Sequence, residues 1–153
     1  MCEAGVSGRQ SRRREILFAV CAAESYIFEW VRDTVLHHDF SILNQYFPAD
    51  AKRGVTNKLR DIPQKRYRDG RVHAPLDCGG REFAEFKKLV AFRDGLVHAS
   101  ASRPETSNQT QVEKPVPSRS ELDALAAGWA AEVVRAILDK LHKDTHTSPP
   151  VWL

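Results

Sequence analysis

Apolar residues recur at helical spacing along four stretches of the chain. In the first, from about Glu15 to His38, Leu17, Val20, Glu24, Ile27, Val31 and Val35 fall three or four residues apart, the stripe of a long amphipathic helix. Phe40 to Tyr46 adds a short turn, which Pro48 ends because a residue before proline avoids helical dihedrals. A weaker stretch from Asp50 to Ile62 aligns Val55, Leu59 and Ile62 on one face, with Pro63 closing it. Gln64 to Gly80, punctuated by Gly70, Pro75 and Gly79-Gly80, reads as a loop. A third helix starts at Arg81, carries Phe83, Phe86, Val90, Arg93 and Val97 on its stripe, and ends near His98 to Ser100.

Residues 101–117 are polar and proline-bearing, the composition of a long crossing loop. Ser118 stands three residues before Glu121, the spacing at which serine and glutamate satisfy each other's orphan backbone donors, so a fourth helix is expected from there. Its stripe is Leu122, Leu125, Trp129, Val133, Ile137 and Leu141. The pattern predicts an all-α fold, an up-and-down bundle of four main helices in one domain over 15–145. A basic, flexible arm at 1–14 and a loose tail at 146–153 are expected to flank it.

Composition narrows the class. A chain of 153 residues, 42% hydrophobic and 28% charged, suits one ordinary domain and excludes an enzyme with separate cofactor and substrate halves. Cys2, Cys21 and Cys78 leave at least one thiol unpaired and form no Cys-x-x-Cys pair, which points to a reducing, cytoplasmic setting without structural zinc. Arg12, Arg13 and Arg14 before the apolar run 16–23 imitate a targeting signal. That run is too short to span a bilayer and continues at helical spacing through Ile27 and Val31, so no membrane association is expected. Neither a cofactor nor a metal is expected. His142 and His146, one helical turn apart, have no carboxylate nearby to complete a metal site.

The net charge of +3 conceals its distribution. Between Ala51 and His73, eight basic residues (Lys52, Arg53, Lys58, Arg60, Lys65, Arg66, Arg68, Arg71) face only Asp61 and Asp69. Arg9 and Arg12 to Arg14 form a second cluster. Such clusters, with Tyr67 among them, suit either a nucleic-acid backbone with a stacked base or a merely solvated surface.

Glu24 and Arg93 stand in the apolar stripes of their helices, where an unpaired charge is expensive. Three explanations remain open: the two pair with each other, they reach water at the edge of the stripe, or they belong to a site. Arg93 opens the run Arg93-Asp94-Gly95-Leu96-Val97-His98, an Arg-x4-His signature late on an amphipathic helix. The same spacing occurs at Arg32/His37 and Arg68/His73, but the first lies on the opening helix and the second between Pro63 and Pro75. Only Arg93/His98 follows the lead-in Phe86-x-x-Leu89-Val90.

This segment resembles the signature of the HEPN family (higher eukaryote and prokaryote nucleotide-binding domains): Arg, a polar residue, three more residues, then His, on the third helix of a four-helix arrangement. Glu24 in the first helix is similar to the acidic residue found there in the family. The resemblance implies a homodimer in which two helix ends meet and a metal-independent endoribonuclease site forms between them. In that reading His98 is the general acid or base, Arg93 binds phosphate, and Asp94 orients the imidazole; Glu24, Lys52, Arg53, Lys58 and Arg60 contact the RNA. It also implies an alternative, a catalytically silent scaffold for RNA, nucleotide or a partner protein. Toxin members of the family pair with an antitoxin, and some carry a tyrosine two residues past the histidine; here Ser100 stands in that place.

The residue chemistry fits phosphoryl transfer. An imidazole titrating near 6.5 exchanges protons with a ribose hydroxyl at neutral pH, while a guanidinium remains charged and stabilises phosphate oxygens. Positions five apart lie about 140° apart around a straight helix, so one helix does not aim both side chains at one atom. A second copy related by a two-fold axis could complete such a site. Gly95, costly inside a helix, would suit close approach of a partner backbone or a bend.

Overall fold

The computed structural model describes residues 4–34, 45–47, 54–101 and 118–151. It is an all-α bundle. The described helices are α1 (Ala4–Thr34), α2 (Val55–Arg68), α3 (Arg81–Ala101), α4 (Arg119–Ala124) and α5 (Trp129–Thr145). The core forms where α1, α3 and α5 pack on one another, with α2 against α1 and α3. Val20, Ile27 and Val31 of α1, Phe83, Phe86 and Val90 of α3, and Ile137 and Leu141 of α5 are buried there, as their spacing predicts, whereas Ile16 takes the core place expected of Leu17, and Val97 is exposed. No described helix is long and apolar enough to cross a membrane.

The boundaries differ from the sequence expectation at three places, each for a local reason. Helix α1 begins at Ala4, so residues expected as a free arm form its first turns. Arg12 anchors them by donating from Nη1 to the carbonyl oxygens of Leu122 (2.8 Å) and Asp123 (2.6 Å). Residues 1–3, the end of the first stripe from Val35 and the crossing segment 102–117 lie outside the described residues.

The second difference is Pro63, which stands inside α2 instead of ending it. Proline cannot donate to the Leu59 carbonyl, and in a helix interior this costs about 3 kcal/mol. Continuing the helix keeps Pro63 itself and Arg66 on the same buried face as Leu59 and Ile62, which offsets that cost. The helix stops at Asp69–Gly70, where the Arg71 N–H reaches back to the Arg66 carbonyl and Gly70 takes φ +67°, a region that disfavours side chains. The loop that follows is held on α5: Asp144 accepts the Asp77 N–H, and Lys140 pairs with both carboxylates.

Third, the final helix is two helices. Ser118 and Glu121 form the expected capping box. Helix α4 then ends at Ala124, and Gly128 at φ +83° redirects the chain into α5. Glu15 of α1 accepts the Ala130 N–H (3.1 Å) in the first turn of α5, a carboxylate at the positive end of a helix. At the other end, Thr147, in the tail expected to be loose, bonds to Trp30 and His142.

Candidate functional site

Helix α3 carries the Arg-x4-His signature on its C-terminal half. The Arg93 side chain keeps 28% of its surface exposed, and its Nε lies 3.1 Å from Asp94 Oδ1. That Nε is itself buried, and its ion pair with Asp94 lacks the alignment of a hydrogen bond. Glu24 takes a different partner, Lys58 of α2, so Glu24 and Arg93 are not each other's counter-ion. Gly95 is buried by the chain itself, so its place in α3 is not one left open for a partner's backbone. The backbone of α3 runs through His98, whose side chain lies outside the described residues, as do Lys52 and Arg53.

Glu24 and Lys58 meet at the mouth of a cleft of about 300 Å³, lined also by Ser25, Phe28, Glu29 and Phe47. Phe28 and Phe47 form its aromatic wall, with ring centroids 5.1 Å apart and planes tilted at 44°. Neither Arg93 nor Asp94 lines this cleft. Arg60 points elsewhere, exposed and bonded through Nε to Asp61 (2.7 Å). Two of the expected RNA contacts are therefore brought together, and a third stands apart from them. The other two Arg-x4-His spacings build nothing comparable: His37 is outside the described residues, and Arg68 and His73 sit exposed where α2 gives way to the loop.

The basic stretch does not act as one surface. Arg66 is fully buried, its guanidinium carbon 5.4 Å from the Trp30 ring and 5.5 Å from the Tyr46 ring. Burial lowers its pKa, yet a guanidinium starts far enough above neutrality to stay charged, and the two ring faces supply part of the stabilisation lost with water. Lys65 lies 4.7 Å over the Tyr46 ring and donates to the Gln45 carbonyl. Tyr67, Arg68 and Arg71 remain exposed.

A buried polar network that the hydrophobic spacing does not predict joins α1 to α5. His142 bonds through Nε2 to the Tyr26 hydroxyl and through Nδ1 to Thr147 Oγ1 (2.8 Å). Thr147 also accepts from Trp30 Nε1 (3.3 Å) and meets Thr145 Oγ1 at 3.0 Å. Burial pushes the Tyr26 hydroxyl up to about 12, with Asp33 and Asp139 adding to it. Burial also holds His142 below its ordinary value, against the opposing effects of Thr147 and Asp139. Both ring nitrogens being engaged, His142 is not offered to a metal, and His146 turns to the His73 ring instead (5.7 Å). Among the described residues no three His, Cys, Asp or Glu side chains gather as a metal site would require. The available signal was Tyr26, Trp30 and His142, each a ring with a polar atom, on faces that otherwise pack the core.

Two arrangements can thus meet a phosphorylated ligand: the partly exposed guanidinium on α3, and a lysine beside an aromatic cleft between α1 and α2. Comparison of the chain with protein-family models, with curated proteins and with solved structures finds no match.

Proposed function

We propose that the chain is a HEPN-like, metal-independent endoribonuclease built around Arg93 and His98. The observation that carries this reading is the state of Arg93: it remains partly exposed and is not consumed by an ion pair with Glu24. In the proposed reaction the ribose 2′-oxygen attacks the adjacent phosphorus as His98 of one copy takes its proton. The bond from phosphorus to the 5′-oxygen breaks, and His98 of the second copy donates a proton to that oxygen. The products are a 2′,3′-cyclic phosphate and a 5′-hydroxyl, and DNA, lacking the nucleophile, is not cut. Arg93 binds the phosphate, with Asp94 restraining its guanidinium. Lys58, Arg60, Lys52 and Arg53 draw in the RNA backbone, with Glu24 holding Lys58 until phosphate displaces it. A homodimer completes the site, and an antitoxin or other partner protein would restrain a toxin of this kind in a cell.

A second reading is a silent RNA- or nucleotide-binding scaffold. It is favoured by the cleft, where aromatic rings and Lys58 stand together away from Arg93. The test is RNA cleavage in EDTA by wild type, Arg93→Ala and His98→Ala. Metal-independent cutting with a cyclic phosphate end, lost in both variants, is the expected result. Absence of cutting by wild type, or equal cutting by all three proteins, overturns the nuclease; retained RNA binding in that case leaves the scaffold.

A further inference from the structure

Two glutamates line the cleft between α1 and α2, and they differ in what their oxygens already hold. Glu29 engages Arg32 of its own helix through both oxygens. Glu24 meets Lys58 through Oε1, and its Oε2 accepts no bond among the described residues. Once a phosphate takes Lys58, both oxygens of Glu24 are acceptors without a donor at the edge of the cleft.

The wall beside Glu24 consists of the two tilted rings of Phe28 and Phe47, and Phe28 keeps 43% of its surface open. An open aromatic surface of this kind stacks any nucleobase, because every base has a π-face. A volume of about 300 Å³ is at the lower end for a small-molecule site and suits one base rather than a whole nucleotide.

Hydrogen bonding at the cleft is selective where stacking is not. A carboxylate presents two acceptors side by side and no donor. Among the four RNA bases, guanine alone offers two adjacent donors on its Watson–Crick edge, N1–H and N2–H. Adenine and cytosine each set one amino donor next to a ring-nitrogen acceptor, and uracil sets N3–H between two carbonyls, so each brings a lone pair against a carboxylate oxygen. The Ser25 hydroxyl, also in the lining, donates or accepts and does not choose between them.

We propose that this cleft is a guanine site, in which the base lies on the Phe28–Phe47 wall and gives its N1–H and N2–H to the Glu24 carboxylate while Lys58 holds a phosphate. The inference rests on the reading of the cleft as an RNA- or nucleotide-binding surface and is independent of cutting at Arg93 and His98. A guanosine within RNA and a free guanine nucleotide offer the same chemistry.

Fluorescence anisotropy tests the proposal with short uridine oligomers, each carrying one central guanosine, adenosine, cytidine or inosine and 2′-O-methyl groups that prevent cutting. Wild type is expected to bind the guanosine oligomer about tenfold more tightly than the adenosine or cytidine one, the discrimination of one bidentate pair. Inosine, which lacks the N2 amino group, is expected to lose most of that preference. Glu24→Gln is expected to bind the adenosine oligomer more tightly than wild type does, since Lys58 is released, and to bind all four oligomers alike. Phe28→Ala, at an exposed position, is expected to weaken all four, with far-UV circular dichroism checking the fold of both variants. Competition by 5′-GMP separates the two sources: an oligomer bound more tightly than GMP assigns the site to RNA, and the reverse order assigns it to the free nucleotide. Equal affinity of wild type for the four oligomers overturns the guanine site while leaving RNA binding in place, whereas no binding of any oligomer or of GMP overturns both. Inosine bound as tightly as guanosine, a guanosine preference that survives in Glu24→Gln, or 5′-AMP competing as well as 5′-GMP also overturns it.

Discussion

The hydroxyl of Tyr26 on α1 is hydrogen-bonded to Nε2 of His142 on α5, and Nδ1 of the same ring is bonded to Thr147 beyond the end of α5. One imidazole thus joins the first helix, the last helix and the segment that follows it. Because the ring is buried, its neutral form is the one the fold accepts.

Stability is therefore expected to fall as pH drops below the ordinary imidazole value of 6.5. The folded state lowers the pKa of His142, so between the folded and unfolded values the unfolded chain binds a proton that the native chain does not. The stabilisation is complete above the unfolded value, shrinks through that window, and shows no further change from this group below the folded value. Urea titrations at stepped pH check this. His142→Gln is expected to be less stable at neutral pH and to show a flatter dependence; an undiminished slope would assign the effect to other groups.

Arg66 and Arg68 provide a matched pair. Arg66→Lys replaces a flat guanidinium between two rings with a compact, strongly hydrated ammonium and is expected to cost about 2 kcal/mol. Arg68→Lys, on an exposed position, is expected to change stability by less than about 0.5 kcal/mol. Thermal or urea unfolding of the two variants measures the contrast, and equal stabilities would contradict the burial of Arg66.

Ser118→Ala removes the acceptor of the Glu121 N–H at the start of α4 and is expected to cost about 1 kcal/mol. The effect should be local. Amide exchange is expected to quicken over residues 119–124 while α5, started by its own glycine turn, keeps its protection.

Lys58 and Glu24 offer a test of how RNA would be held. If phosphate competes with Glu24 for Lys58, Glu24→Gln raises RNA affinity and Lys58→Ala lowers it, reducing the salt slope by about one counterion. Fluorescence anisotropy over a range of salt concentrations gives both quantities. Affinity unchanged in both variants would remove this pair from the RNA surface.

The legible parts of the fold are those fixed by periodic burial. The stripes of α1, α3 and α5 place Val20, Phe86 and Ile137 in the core where their spacing puts them, and the capping box at Ser118 is a local pattern that needs no tertiary help. Pro63 was misleading because its penalty is local while the burial that offsets it is set by helices distant in sequence. Arg66 looked like its exposed neighbours because charge type does not reveal which face of α2 turns inward until Trp30 and Tyr46 are known to be there. Within the candidate site, spacing found Arg93 and Asp94 on one helix, but only the packing of α1 on α2 shows that Glu24 answers Lys58.

Gly128 gives the bundle a mechanical fuse. The extended backbone at Leu125 and the left-handed turn at Gly128 together keep α4 and α5 from forming one rod that would carry strain from Ser118 to Ile137 and Leu141. With that break, α4 is a six-residue cleat held by Arg12 and Leu122, set apart from the axis of α5. A strain entering at Ser118 therefore meets a bend before it meets the long axis of α5, and Leu122 is the place where α4 hands it to the core.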